Sequence, residues 1–309
     1  MRRTRERRIR KALRRAPDTR EFVIGTGVLS GLPSLCAAHF PGARMLVVAD
    51  TNTYRAAGER AVRSLRAARI PLVEPLIFPG RPMLSPDYVH VERLRDRLME
   101  TDAVAAAVGS GTVNDLVKRA SFEAERGYLI VATAASMDGY SSFGAALLLA
   151  GFKKTLECPA PRVIVADVSV LRAAPPDMSA AGYADLLGKI TAGADWRTAD
   201  ALNVEPIDPL SWRLSQARLR RWVRQPEGVP RGDEAGARDV FEGLAMTGFA
   251  MQALRSSRPA SGTEHSLSHY WEMKAAWKKR KPFLHGTKVG VGTAVTARFY
   301  ESFFFLIDR

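Results

Sequence analysis

From about Asp18 the chain alternates short apolar runs with longer segments of helical periodicity. EFVIGTGVLSGLPSLC (21–36) reads as a strand, a glycine turn and a helix. RMLVVAD (44–50) is a β-branched run ending in Asp50 and leads into the helical TYRAAGERAVRSLRAARI (53–70). LVEPLIFP (72–79) reads as another strand, closed by Pro79 and Gly80. In DYVHVERLRDRLMETD (87–102) apolar residues recur at three- and four-residue steps, which predicts a helix. AVAAAVG (103–109) predicts a buried strand ahead of a helix opened by GSGTVNDLVKRASF, and YLIVAT (128–133) and RVIVAD (162–167) are further continuous apolar strands. Continuous rather than alternating strands, separated by helices, indicate a parallel sheet covered on both faces. Past about Leu171 the strand signals stop. The stretches 178–202, 211–225, 237–257 and everything from 264 onward read as helices. The pattern divides the chain at AAPPD into an α/β part, 18–172, and an all-α part, 173–309, preceded by an arm at 1–17.

Charge changes the picture at one end only. The 309 residues carry a net charge of +14, and residues 1–15 alone, MRRTRERRIRKALRR, hold nine Arg/Lys and one Glu. Such an arm could touch nucleic acid or an anionic membrane, but a charge run is usually a solvated face. No aromatic residues interleave with its arginines, so nucleic acid is not the expected partner. With 46% hydrophobic and 25% charged residues the chain has the composition of a globular protein. No apolar run reaches the roughly 20 residues of a membrane helix. Two cysteines, Cys36 and Cys158, form no disulfide framework and suit a reducing, cytoplasmic setting.

Ligands of parallel sheets sit beyond the carboxyl ends of the strands. Gly109 and Gly111 let backbone approach a pyrophosphate at the N-terminus of the next helix, although GSGT is not a G-x-G-x-x-G fingerprint. The next strand ends in TAASMDGYSS (133–142), a loop rich in hydroxyls that contains Asp138. Asp50, at another strand end, reads equally as a ribose acceptor and as a helix cap. Three of the five histidines fall within 265–285. His265 and His269 share a helix face, and His285 can return to it. With Asp185 they offer the Asp/His donor set of an open divalent-metal site. The other reading of Asp185 is a plain i, i+4 helix pair with Lys189.

Together GSGTVND, TAASMDGYSS, FKKTL, MSAAGYADLLGK, GTEHSLSHYWEM and HGTKVGVGT resemble the sn-glycerol-1-phosphate dehydrogenases, within the iron-containing alcohol dehydrogenase and dehydroquinate synthase superfamily. The resemblance runs from about Asp18 to about Thr293. It implies a Rossmann-like N-terminal domain, a helical C-terminal domain and an active site in the cleft between them, the dehydroquinate synthase-like fold. By analogy NAD or NADP would lie against Asp50, Gly109, Gly111, Thr112, Val113, Asn114, Asp115, Thr133, Ala134, Ala135, Ser136 and Ser142. Asp185, His265 and His285 would hold Zn²⁺, with Ni²⁺ or Fe²⁺ as alternatives. Asp138, Asp185 and His269 would contact substrate, with His269 and Asp138 as the catalytic pair. The implied reaction reduces dihydroxyacetone phosphate to sn-glycerol 1-phosphate, in a homo-oligomer. Lys153, Lys154 and Lys189 are candidates for the substrate phosphate. Asp50 leans toward NAD, and Arg55 nearby could offset that. Family members continue past the HGTKVGVGT segment, whereas this chain stops at Arg309, so Phe303 to Leu306 are expected to be exposed. The competing readings are a glycerol dehydrogenase-like or other polyol oxidoreductase, and a non-catalytic nucleotide- or nucleic-acid-binding homologue.

Overall fold

The computed structural model describes residues 2–229, 231–278, 280 and 283–307, and of residues 2–4, 276 and 303–307 the backbone alone. Its strands are β1 (Glu21–Gly25), β2 (Arg44–Asp50), β3 (Leu76–Phe78), β4 (Ala103–Gly109), β5 (Leu129–Ala132), β6 (Ala145–Leu149), β7 (Phe152–Leu156) and β8 (Val163–Asp167). Six of them form one sheet in the order β1-β8-β5-β4-β2-β3, and every pairing in it is parallel. β2 leads outward to β3, whereas β4 leads the other way to β5. The strand order therefore reverses between Asp50 and Gly109, where a crevice opens beyond the strand ends. β2, β4, β5 and β8 are buried along nearly their whole length, as continuous apolar runs require.

After β8 every described element is a helix. The long ones are Pro176–Ala201, Glu234–Leu254, Thr263–Trp277 and His285–Ile307. One core spans both parts: Phe22 of β1 meets Phe249 edge-on at 5.6 Å, and Tyr140 meets Phe241 at 5.3 Å. No described helix is long and apolar enough to cross a membrane.

Several expectations need correcting. The run at 72–79 yields only Leu76–Phe78 as a strand, because Pro75 has no N–H for the ladder. Val73 still donates to the Met45 carbonyl at 3.0 Å. The antiparallel pair β6–β7 went unread, since LLLAGFKK carries a turn signal too short to stand out. The segment 211–225 is not one helix. Arg218 leaves helical geometry (φ −124°, ψ 8°), and the break lets Leu214, Leu219 and Trp222 all reach the core. The basic arm is not merely solvated. Helix Arg2–Leu13 buries Ile9 and Ala12, and Arg5 and Arg8 both pair with Glu242, which is only 1% exposed. Phe303 to Leu306 lie on the last helix, but their side chains fall outside the described residues.

The loop after β5 is held from below by helix Gly111–Glu123. Lys118 is fully buried and donates to the carbonyls of Gly139 (2.9 Å), Ser142 (3.1 Å) and Gly144 (2.8 Å). Its ammonium also stands 3.4 Å from Asp115, whose carboxyl burial pushes upward. Asn114 adds a bond to the Gly139 carbonyl at 3.1 Å. Lys118→Met removes the donor shared by three carbonyls and the cation beside one buried carboxyl, so it is expected to cost about 3–5 kcal/mol, measured by urea unfolding.

Candidate metal and cofactor site

Asp185 sits in the middle of helix Pro176–Ala201, His265 near the start of Thr263–Trp277, and His285 opens His285–Ile307. One ligand atom from each lies within 4.8 Å of the others. Donors around a tetrahedral cation bound at about 2.1 Å stand roughly 3.4 Å apart. Asp185 Oδ1 and His265 Nε2 are 3.5 Å apart. Two glycines permit this convergence. A Cβ on Gly182 would stand 1.7 Å from the Ala135 carbonyl oxygen, and one on Gly286 would stand 1.9 Å from that of Ala181. Without side chains there, the long helix closes on the β5 loop and the last helix closes on the long one.

The charges around Asp185 are buried and nearly balanced. Lys189 Nζ lies 2.8 Å from Asp185 Oδ1 and 2.6 Å from Asp138 Oδ2, and donates to the Ala260 carbonyl at 3.1 Å. Asp138 N–H donates to Asp185 Oδ2 at 3.0 Å. Burial pushes the Asp185 carboxyl up, but the Lys189 ammonium and the two histidines outweigh it and hold the group well below the usual carboxylate range. Two carboxylates against one ammonium leave an excess negative charge facing the imidazoles, which suits a divalent cation. Among the described residues His285 Nδ1 makes no hydrogen bond and stands 3.6 Å from the Glu272 carboxylate. The chemistry of one carboxylate and two imidazoles is that of zinc, nickel or ferrous iron.

Two carboxylates around this triad escaped the sequence reading. Glu264 is fully buried, and its Oε1 stands 2.7 Å from His265 Nδ1 and accepts from Gly262 N–H at 2.7 Å. Its Oε2 accepts from Thr191 at 2.7 Å. This fixes the ring so that Nε2 faces Asp185, the outer-shell arrangement common to metal-binding histidines. Burial and Lys189 push His265 down, but its two carboxylate neighbours prevail and hold the imidazole above its usual range. Glu272 faces His285 Nδ1 at 3.6 Å and pairs with Lys288 at 3.1 Å and with Lys153. Burial raises Glu272, and its contacts with His285 and with the Lys153 ammonium more than reverse it. The available signal was the spacing: Glu264 adjoins His265, and Glu272 lies one turn past His269.

Of the lysines that are candidates for a phosphate, Lys189 is corrected: it is 0% exposed, and its ammonium is held by Asp185, Asp138 and the Ala260 carbonyl. Lys154 points away from Lys153 by strand alternation and is exposed, leaving Lys153 beside Glu272. His269 lies on the open side of the cluster, its ring centroid 6.3 Å from that of His285 and 6.5 Å from that of His265. Partial burial of the ring, then the Lys153 ammonium, pushes it down to about 4.

On the sheet side, Gly109, Ser110 and Gly111 turn into helix Gly111–Glu123, and Ser110 makes no side-chain cap. The first-turn N–H groups of Gly111, Thr112 and Val113 are thus offered to an external anion. Asp50 caps its own helix, accepting from Asn52 N–H at 2.8 Å and Thr53 N–H at 3.0 Å through Oδ1. Asn114, Asp115 and Val113 are turned inward: the first holds the β5 loop, the second accepts from Ala146 N–H of β6 and the third packs in the core. Thr133 N–H donates to the Gly109 carbonyl at 3.1 Å, Ala134 accepts from Tyr140 at 2.7 Å, Ala135 abuts Gly182, and Ser142 bonds the Gly139 carbonyl at 3.3 Å. Ser136 lies 3.4 Å from the Tyr140 hydroxyl. The backbone of both loops meets at the strand ends, and the larger side chains serve the scaffold.

Glu264→Gln leaves the packing volume unchanged but weakens the acceptor that orients His265. Divalent-metal affinity is expected to fall about 10–100-fold, read by competition titration with a chromogenic chelator. For His269, the unfolded chain takes up a proton near pH 6.5 that the folded protein refuses until about pH 4. Stability contributed by this residue is therefore present above the upper value and lost as pH falls toward the lower one. NMR titration of the metal-free protein is expected to place the His269 midpoint well below 6.5.

Residues 23–175 match the model of the iron-containing alcohol dehydrogenase family. A glycerol-1-phosphate dehydrogenase of Bacillus velezensis, whose name specifies NAD(P)+, is 38% identical over 83% of this chain and 65% of its own length. Its namesake from Halalkalibacterium halodurans is 35% identical over 91% of this chain and 71% of its own. The chain thus spans about two thirds of the length of these relatives. Among solved structures, glycerol dehydrogenase from Schizosaccharomyces pombe superimposes with a TM-score of 0.73 at 19% identity, covering 91% of this chain and 71% of that one. The resemblance carried by the loop and histidine motifs is borne out, and the chain belongs to the glycerol-1-phosphate dehydrogenase family.

Proposed function

We propose that the protein reduces dihydroxyacetone phosphate to sn-glycerol 1-phosphate with NADH or NADPH. The observation that carries the reading is the convergence of Asp185, His265 and His285 beside Asp138. The names of its relatives support the substrate and the cofactor. A bound divalent cation would supply Lewis acidity toward the ketone oxygen, and a bound nicotinamide would supply hydride.

The chain's own residues then have separable tasks. Asp185, His265 and His285 hold the cation, and Glu264 keeps His265 in the ligating tautomer. Lys189 holds Asp185 and Asp138 in one orientation, so the site needs little rearrangement during turnover. His269, neutral at pH 7, donates a hydrogen bond toward the substrate and relays a proton from solvent to the developing alkoxide. Lys153 and Lys288 place two positive charges around Glu272. The excess cation there is the attraction for the substrate phosphate. The uncapped helix at Gly111 receives the cofactor pyrophosphate, in the crevice between β2 and β4. Cytoplasmic residence is supported by the two unpaired thiols, Cys36 and Cys158, which burial pushes up to about 12 and about 11.

The test is oxidation of NADH or NADPH by the metal-loaded full chain on a panel of ketone phosphates and polyols. Turnover with dihydroxyacetone phosphate, abolished by chelator and restored by metal, is the expected result. Asp185→Asn is expected to lower kcat/KM by more than about 100-fold, beyond the range for an outer-shell residue. A metal-loaded preparation active on free glycerol and inert on the phosphate would replace this reading with a glycerol dehydrogenase.

A further inference from the structure

The face of the helical part that receives helix Arg2–Leu13 holds a cavity of about 390 Å³ lined by Arg5, Arg8, Arg218, Arg221, Arg238 and Asp239. Three separate elements supply the five guanidinium groups: the N-terminal helix, the Leu219–Trp222 turn with its flank, and the start of helix Glu234–Leu254. Their compensation is incomplete. Arg5 pairs with Glu242 at 2.6 Å and approaches Asp239 at 3.5 Å, Arg8 shares Glu242, and Arg238 is held by Glu234. Among the described residues, Arg218 and Arg221 have no carboxylate partner. Three carboxylates therefore face five cations. Arg8 Nε is also buried with no acceptor.

We propose that this cavity is a binding site for a small, multiply charged phosphate compound of the pyrophosphate type, which bridges the N-terminal helix to the helical part. The volume lies within the range of small-molecule pockets. Guanidinium forks match phosphate oxygens in pairs, which isolated ammonium groups do not. An anion would supply the acceptor that Arg8 Nε lacks and neutralise Arg218 and Arg221. Burial, then Arg218, Arg5 and Arg221, push Arg8 down to about 10, which reflects the same crowding of like charge. The arginines gather around a hollow, whereas Arg7 and Arg10 face solvent on the other side of the helix. That favours a small guest over a duplex lying across the surface. The site is distinct from the metal cluster. Arg238 and Gly248, which abuts Ser141 in the β5 loop, are ten residues apart on one helix, about 15 Å along its axis.

The experiment is calorimetric titration of the full chain with inorganic pyrophosphate, beside thermal unfolding with and without it. Wild type is compared with Arg218→Gln/Arg221→Gln, which removes no partner from any carboxylate. Pyrophosphate is expected to bind one site and raise Tm in wild type. In the double variant affinity falls at least about tenfold and the Tm shift is lost, while ketone-phosphate turnover stays within about twofold. Equal binding by both proteins places the anion at the cofactor loop and overturns the proposal, as does no binding by either. Tighter binding of a DNA duplex than of pyrophosphate, lost on deleting residues 1–15, also overturns it. If the double variant is unfolded by circular dichroism, the comparison is made with Arg221→Lys, which keeps the charge and loses the fork. Unchanged affinity in that variant counts against the site.

Discussion

A single buried ammonium, that of Lys189, organises the functional half of this protein. It sits between Asp138, on a loop of the sheet, and Asp185, on the first long helix. Removing the ammonium leaves two neighbouring carboxylates without their shared cation away from water, which costs several kcal/mol. The two parts of the chain are therefore locked at the point where chemistry is needed. The lock is reinforced by backbone, because the Asp138 N–H donates to the same carboxylate. What remains unneutralised in the cluster is negative charge directed at two imidazoles.

The other contacts between the parts serve the same arrangement. Ser141 donates to the Ala245 carbonyl at 2.8 Å, and Gln252 bonds the Ser141 carbonyl at 2.6 Å and Thr19 at 2.9 Å. Helix Glu234–Leu254 thus holds the β5 loop on one side while Lys118 holds it from the other. Three residues before Ala245 the same helix buries Glu242 beneath the arginines of the N-terminal helix. A stretch that looks in isolation like a detachable basic arm is thereby tied into the core.

Much of this was legible beforehand for identifiable reasons. The strands 44–50 and 103–109 were readable to the residue, because a strand buried on both faces must be apolar throughout and ends where polarity returns. The histidines stood out because they are few and clustered. Glu264 and Glu272 did not stand out, since a carboxylate on a helix reads as surface charge until its neighbours are known. Lys189 reads both as a candidate phosphate ligand and as the partner of Asp185 for the same reason. An i, i+4 pair can be seen in one dimension, but the Asp138 that completes it comes from about fifty residues away. The hairpin 145–156 was missed because its alternation is short and its turn lies within an apolar stretch.

The sequence by itself determined the class of architecture, the order of its strands and helices along the chain, and which side chains had metal-binding and phosphate-binding chemistry. Those properties are local: periodicity, residue type and spacing carry them. The tertiary structure alone decided which charges became partners, which lysine was consumed, and which arginines were left over. Electrostatic interaction and desolvation depend on distance and burial in three dimensions, and neither quantity is written in the order of the residues.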